Sequence, residues 1–280
     1  MSFSLLDFSK GGGCGCKIEP GKLREVLSGI SQAKDDKILV DFTHGDDASV
    51  LDLGEGRLLV QTVDFFLPVV KDPYDFGRIA AANAISDIYA MGARPITALS
   101  ILGWPVEKIA LNVASEVIKG ATDICSLAGI NISGGHSVET QEPIFGLSVS
   151  GLVENAHLKL NNTCRNGDWI YITKPLGLGL LANALKMGML SEDGYTVFLD
   201  LACSLNSVGM DLGKQTQVTA MTDITGFGLL GHLKEMLCMG LGAELELSQI
   251  PVIEEAKLIA SKMIYPNITT NNYNYIKEMT

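Results

Sequence analysis

The residues best suited to chemistry stand near the start of the chain, in Lys10-Gly11-Gly12-Gly13-Cys14-Gly15-Cys16-Lys17. Glycine has no Cβ and loses more freedom on ordering than any other residue, so this run predicts a mobile arm rather than a brace. Lys17 lies close in sequence to both sulfurs, and a neighbouring cation favours thiolate, the nucleophilic form. Both thiols are therefore candidate nucleophiles. A frayed terminus is the plainer reading. Zinc is disfavoured, because Cys14-Gly15-Cys16 needs two more ligands and no second closely spaced Cys or His pair follows.

A second group is acidic. Asp46 and Asp47 follow His44-Gly45, Asp64 follows the run Leu58-Leu59-Val60-Gln61-Thr62-Val63, and Asp223 follows Val218-Thr219-Ala220-Met221-Thr222. Carboxylates at strand ends can converge on one site, where they repel unless cations neutralise them. Oxygen-only ligands suit Mg²⁺, with phosphate oxygens completing its shell. Each aspartate taken alone could equally cap a turn.

Asn83 and Asp87 fit that plain reading less well. They lie four apart in the almost wholly apolar helical run 79–91, so they share one face. A buried carboxylate without a partner is costly. A metal ion or nucleotide would supply the partner, as would an internal hydrogen bond to backbone or to Arg78. Ser133-Gly134-Gly135-His136-Ser137 predicts a loop whose successive N–H groups could cradle phosphate, with a plain turn as the alternative. No P-loop motif is present.

Two segments imitate the dinucleotide fingerprint: Gly177-Leu178-Gly179-Leu180-Leu181-Ala182 and Gly226-Phe227-Gly228-Leu229-Leu230-Gly231, the latter with Glu246 about twenty residues on. They make an NAD-binding oxidoreductase the competing class. Against it, Asp223 would place a bare carboxylate beside the pyrophosphate, and Lys174-Pro175 interrupts the other strand-to-glycine step.

The chain that must position these residues has 280 of them, enough for two domains, and 47% are hydrophobic. A net charge of −11 argues against a nucleic-acid partner, while metal ions could still bridge acidic side chains to phosphates. No uncharged apolar run is long enough to span a membrane, and the first ten residues lack signal-peptide order. Six scattered cysteines show no disulfide framework, which predicts a cytoplasmic setting, with Cys125 and Cys238 as buried small hydrophobes.

Residues 38–42, 48–53, 57–63, 96–102 and 145–153 read as strands, and 74–91 and 106–128 as helices, the second stopped by Gly129. The polar stretch 154–167 marks a domain boundary. Beyond it, 169–173, 218–221 and 243–247 read as strands, and 178–187, 197–212 and 229–239 as helices. The Asn-, Thr- and Tyr-rich tail 265–274 reads as loop.

These motifs also occur together in one family. Gly11-Gly12-Gly13-Cys14-Gly15-Cys16-Lys17-Ile18, Asp46-Asp47-Ala48, Thr62-Val63-Asp64-Phe65-Phe66, Phe76-Gly77-Arg78-Ile79-Ala80-Ala81, Asn83-Ala84-Ile85-Ser86-Asp87-Ile88, Gly134-Gly135-His136-Ser137 and Thr222-Asp223-Ile224-Thr225-Gly226-Phe227-Gly228 closely resemble the selenophosphate synthetase (selenide, water dikinase) family. That family sits within the aminoimidazole ribonucleotide synthetase superfamily, whose other ATP-dependent synthetases are the nearer alternative.

The resemblance implies an α+β fold: a glycine-rich catalytic loop over 1–18, an ATP- and metal-binding domain over 19–155, and a C-terminal α/β-type domain over 156–280. It also implies a homodimer whose N-terminal domains pair into a β-barrel. The implied reaction converts ATP, selenide and water to selenophosphate, AMP and phosphate. Selenide would arrive free or from a selenium-delivering protein. By motif match, Cys14 and Lys17 are catalytic, with Lys17 also facing phosphate. Asp47, Asp87 and Asp223 hold Mg²⁺, and His44, Gly45, Asp46, Asp64, Asn83, Asp87, Gly135, His136 and Ser137 contact nucleotide. The family also carries an Asp-Pro-Gln-Thr-Ser-Gly-Gly segment that is absent here, so the resemblance implies an incomplete second domain, which bears on the activity of the shortened chain.

Overall fold

The computed structural model describes residues 3–8, 20–30, 35–237 and 240–277. Cys14, Cys16, Lys17 and Cys238 lie outside the described residues, and with them the expected catalytic arm. A short helix α1 (Pro20–Leu27) precedes three strands, β1 (Ile38–Val40), β2 (Ser49–Asp52) and β3 (Arg57–Phe66), joined as an antiparallel meander. Alternation along β3 buries Leu58, Val60, Asp64 and Phe66 and turns Gln61, Val63 and Phe65 outward.

Helix α2 (Pro73–Ala90) follows. The Asp72 side chain caps it by accepting the Asp75 N–H at 3.0 Å, and Pro73 enters the first turn with its φ already fixed. Strand β4 (Arg94–Trp104), helix α3 (Leu111–Leu127), strand β5 (Ile132–Glu139) and strand β6 (Ile144–Glu154) complete the first half. The strand order is β1-β2-β3-β6-β4-β5, antiparallel throughout except between β4 and β5. Helix α2 packs on β3, β6 and β4, and α3 packs on α2, so one sheet face is covered. The opposite face leaves Val63, Phe65, Leu99 and Val138 about half exposed.

The segment read as a glycine loop is β5. Gly135 pairs with Ser100 of β4, and a Cβ there would stand 2.2 Å from the Ser100 oxygen, so its glycine serves close strand approach.

The second half is helical: α4 (Leu178–Lys186), α5 (Glu192–Cys203), α6 (Val208–Gly213), α7 (Gly228–Met236), α8 (Glu254–Ser261) and α9 (Ile268–Ile276). Three expectations fail here. The strands expected at 169–173, 218–221 and 243–247 form no ladder among the described residues, where the second half contributes only the isolated bridge Leu176–Val252. Extended backbone becomes a strand only through a paired neighbour, and without one Trp169 and Tyr171 stay 85% and 86% exposed. The helix expected over 197–212 breaks at 204–207, which lets Asn206 donate to Ser86 of α2 at 2.8 Å. The tail expected as loop forms α9 despite poor helix formers, because Tyr275 packs on Phe227 and Lys234 and Asn272 donates to the Gly226 carbonyl at 2.9 Å.

Candidate metal and nucleotide site

Helix α2 and strand β3 place four polar side chains together. Four helical residues rise about 6 Å and two strand residues about 6.7 Å. Residues at i and i+4 on the helix therefore match residues at i and i+2 on the strand. Asn83 Nδ2 donates to Asp64 Oδ2 at 2.5 Å, and Thr62 Oγ1 donates to Asp87 Oδ2 at 2.6 Å. Among the partners expected for Asn83 and Asp87, Arg78 instead bonds Asp75 at 3.1 Å.

Asp87 then meets carboxylates from two other regions. One oxygen each from Asp47, Asp87 and Asp223 lies within 4.8 Å of the others. Asp47 leads into β2, Asp87 is in α2, and Asp223 comes from the second half, just before α7. Thr222 Oγ1 donates to Asp47 Oδ1 at 3.0 Å across the two halves. The other oxygen, Asp47 Oδ2, is shut off from solvent and has no hydrogen-bond partner among the described residues. Burial first, and then the negative charges of Asp223, Asp87 and Asp46, push the Asp47 carboxyl well above the usual range.

These donors fit a divalent cation. Two oxygens on one Mg²⁺ at ~2.1 Å would lie roughly 3–4 Å apart, inside the 4.8 Å limit that holds these three oxygens. A cation would also satisfy the orphaned Asp47 oxygen and offset the mutual repulsion.

The remaining expected residues surround the cluster unevenly. His44 is exposed and bonds Asp41 at 2.9 Å. Gly45 has φ +66°, in the left-handed region. Asp46 turns toward the second half, where both its oxygens accept the Asn161 N–H at 3.2 and 3.3 Å. Burial raises its pKa, opposed by the N–H groups of Asp47 and Asn161. Gly135 lies on one sheet rung with Asp64, through Leu147 and Ser100. Three interstrand steps put it about 14 Å away. His136 and Ser137 continue along β5, exposed at the sheet edge.

Several residues escaped the sequence reading. Thr62 stands two before Asp64, so strand periodicity was its available signal. Asn161 carries none and Thr222 only its place in a quoted motif, because their roles depend on contacts across more than a hundred residues. Lys174 donates to the Leu201 and Ser204 carbonyls at 3.3 and 2.6 Å; burial lowers its pKa and Asp223 partly restores it. The glycines that imitate a dinucleotide fingerprint open α4 and α7, but among the described residues no sheet strand leads directly into either one.

Comparison with known proteins adds a second line. Residues 45–153 match the family model for the N-terminal domain of AIR synthase related proteins, and 165–268 match that for the C-terminal domain. A selenide, water dikinase of Photorhabdus laumondii subsp. laumondii is 46% identical over 283 residues, spanning 99% of this chain and 81% of the relative. The chain belongs to the selenide, water dikinase family. A selenide, water dikinase of Aeromonas hydrophila subsp. hydrophila is likewise 46% identical over 276 residues, spanning 98% of this chain and 80% of that relative. Among solved structures, thiamine monophosphate kinase from Aquifex aeolicus superposes with a TM-score of 0.66 at 18% identity, over 91% of this chain and 82% of its own, which shows a shared fold. The family indicated by the scattered motifs is thus the one to which nearly the whole chain aligns.

Proposed function

We propose that this chain phosphorylates selenide with ATP and consumes one water to hydrolyse the remaining diphosphate, yielding selenophosphate, AMP and phosphate. The observation that carries the reading is the Asp47–Asp87–Asp223 cluster with its orphaned buried oxygen, in a chain of the selenide, water dikinase family. Phosphoryl transfer requires charge neutralisation and alignment more than covalent chemistry from the protein. Bound Mg²⁺ would screen the charge of the transferring phosphoryl group.

The chain's own residues hold and orient. Asp47, Asp87 and Asp223 hold Mg²⁺, while Thr62 and Thr222 fix two of the three carboxylates. His44, Gly45, Asp46, Asp64, Asn83, Gly135, His136 and Ser137 face the nucleotide, with Asn83 anchored by Asp64. Cys14 positions selenium, and Lys17 counters phosphate charge.

The outward sheet face suits a homodimer. It carries Val63, Phe65, Leu99 and Val138 with no covering element among the described residues, and pairing two such faces would make the expected barrel. No helix among the described residues is long and apolar enough to cross a membrane. Cys125 and Cys203 are buried free thiols, consistent with a reducing cytoplasm.

³¹P NMR of the purified chain with ATP, Mg²⁺ and selenide under anaerobic reducing conditions tests the activity. Selenophosphate, AMP and phosphate should appear together, and Cys14→Ser should abolish them while ATP still binds. Wild-type chain that binds ATP but makes no AMP when selenide is added would overturn the reading.

A further inference from the structure

The segment 160–163 is bonded on both sides to the backbone that carries two of the three clustered carboxylates. On one side, Asn161 Nδ2 donates to the Gly45 carbonyl at 3.0 Å, and the Asn161 main-chain N–H is shared between the two Asp46 oxygens. Asp46 Oδ1 in turn accepts the Asp47 N–H at 2.9 Å. On the other side, the Leu160 carbonyl accepts the Met221 N–H at 3.2 Å. Thr163 Oγ1 donates to the Thr219 carbonyl at 2.7 Å. The turn bearing Asp47 and the segment bearing Asp223 are therefore tied to one four-residue span.

Asn161 is the side chain that makes this span specific. It is 2% exposed, and its Oδ1 is buried without a hydrogen-bond partner among the described residues. Leaving a buried amide oxygen unpaired is costly, so a residue serving only to fill space would be apolar. What the amide contributes is its Nδ2–H, aimed at Gly45. Gly45 holds φ +66°, and a Cβ there would meet nothing within 4 Å, so the turn's conformation rather than crowding calls for glycine.

We infer that Asn161 is a positioning residue for the carboxylate cluster, locking the 45–47 turn to the second half of the chain so that Asp47 faces Asp87 and Asp223. The inference rests on the proposed reading of that cluster as a divalent-cation site. Groups that orient metal ligands from behind commonly govern affinity by tenfold or more.

Mn²⁺ binding to the full chain, followed by electron paramagnetic resonance, tests it alongside thermal melting in chelator. Asn161→Ala should weaken Mn²⁺ by about tenfold, an effect that persists when affinity is expressed per folded molecule. Gly45→Ala, which has open space for its methyl group, should weaken Mn²⁺ in the same direction and keeps the test available if Asn161→Ala fails to fold. Asp47→Asn should lose binding altogether. If Asp47→Asn loses Mn²⁺ while Asn161→Ala and Gly45→Ala bind it like wild type, the positioning role is overturned and the metal site stands. If wild-type chain takes up no Mn²⁺, or Asp47→Asn binds it unchanged, the metal reading falls and the positioning role with it.

Discussion

Asp47 is a residue whose charge works against the fold unless a cation is present. Its carboxyl lies above the unfolded value of 3.8 because of burial and of the negative Asp223 and Asp87. The folded chain therefore binds this proton more tightly than the unfolded chain does. Stability linked to the group is present at low pH and falls as pH climbs through the raised value. Asp47→Asn keeps the Oδ1 acceptor for Thr222 and removes the charge. Without metal near neutral pH it should be more stable than wild type and melt at a higher temperature. Saturating Mg²⁺ should narrow or reverse that gap, because a ligand of the native state raises wild-type stability alone. Calorimetry with and without chelator over pH 5–8 reads both effects, and a variant that melts below wild type in chelator at every pH would contradict the account. The clustered residues differ in how visible they were in the sequence. Asn83 and Asp87 stood out because polar groups at helical spacing in an apolar run demand partners. Convergence of Asp47 with Asp223 came from motif resemblance, since 176 positions separate them and no local pattern encodes a contact at that distance.

At the scale of elements, the sequence was most informative where local chemistry decides structure. The helix read over 74–91 forms as α2, with the Asp72 side chain as its cap. Gly129, with φ +73°, follows the end of α3 as the glycine signal predicted. The alternation of β3 put Thr62 and Asp64 on the helix-facing side, opposite Asp87 and Asn83. The misses share one cause, namely that distant partners outweigh local preference. Residues 169–173 have a strand-like composition but no ladder neighbour among the described residues. Residues 268–276 have the composition of a loop, but are held as helix α9 by Phe227, Lys234 and the Gly226 carbonyl. Gly135 read as part of a loop because its close pairing with Ser100, which leaves no room for a Cβ, cannot be seen without the sheet.

For the whole molecule, the site exists only because the second half docks on α2. Tyr195 donates to Asp75 at 3.1 Å, Asn206 donates to Ser86 at 2.8 Å, and Gly209 lets α6 approach the Tyr89 carbonyl, where a Cβ would stand at 2.2 Å. The outward face of the sheet predicts a further level of assembly. Phe65→Asp should turn a dimer into a monomer in sedimentation equilibrium with little change in helical content, and a wild-type chain that sediments as a monomer at micromolar concentration would remove the barrel from the account. The most direct test concerns the three carboxylates. Calorimetric titration of the full chain with ATP in saturating Mg²⁺ should give tight wild-type binding, and Asp47→Asn, Asp87→Asn and Asp223→Asn should each weaken it by at least tenfold, as expected from removal of a cation ligand. Folded variants that all bind Mg²⁺–ATP with wild-type affinity would contradict the claim that residues from both halves of the chain grip the nucleotide through a shared metal.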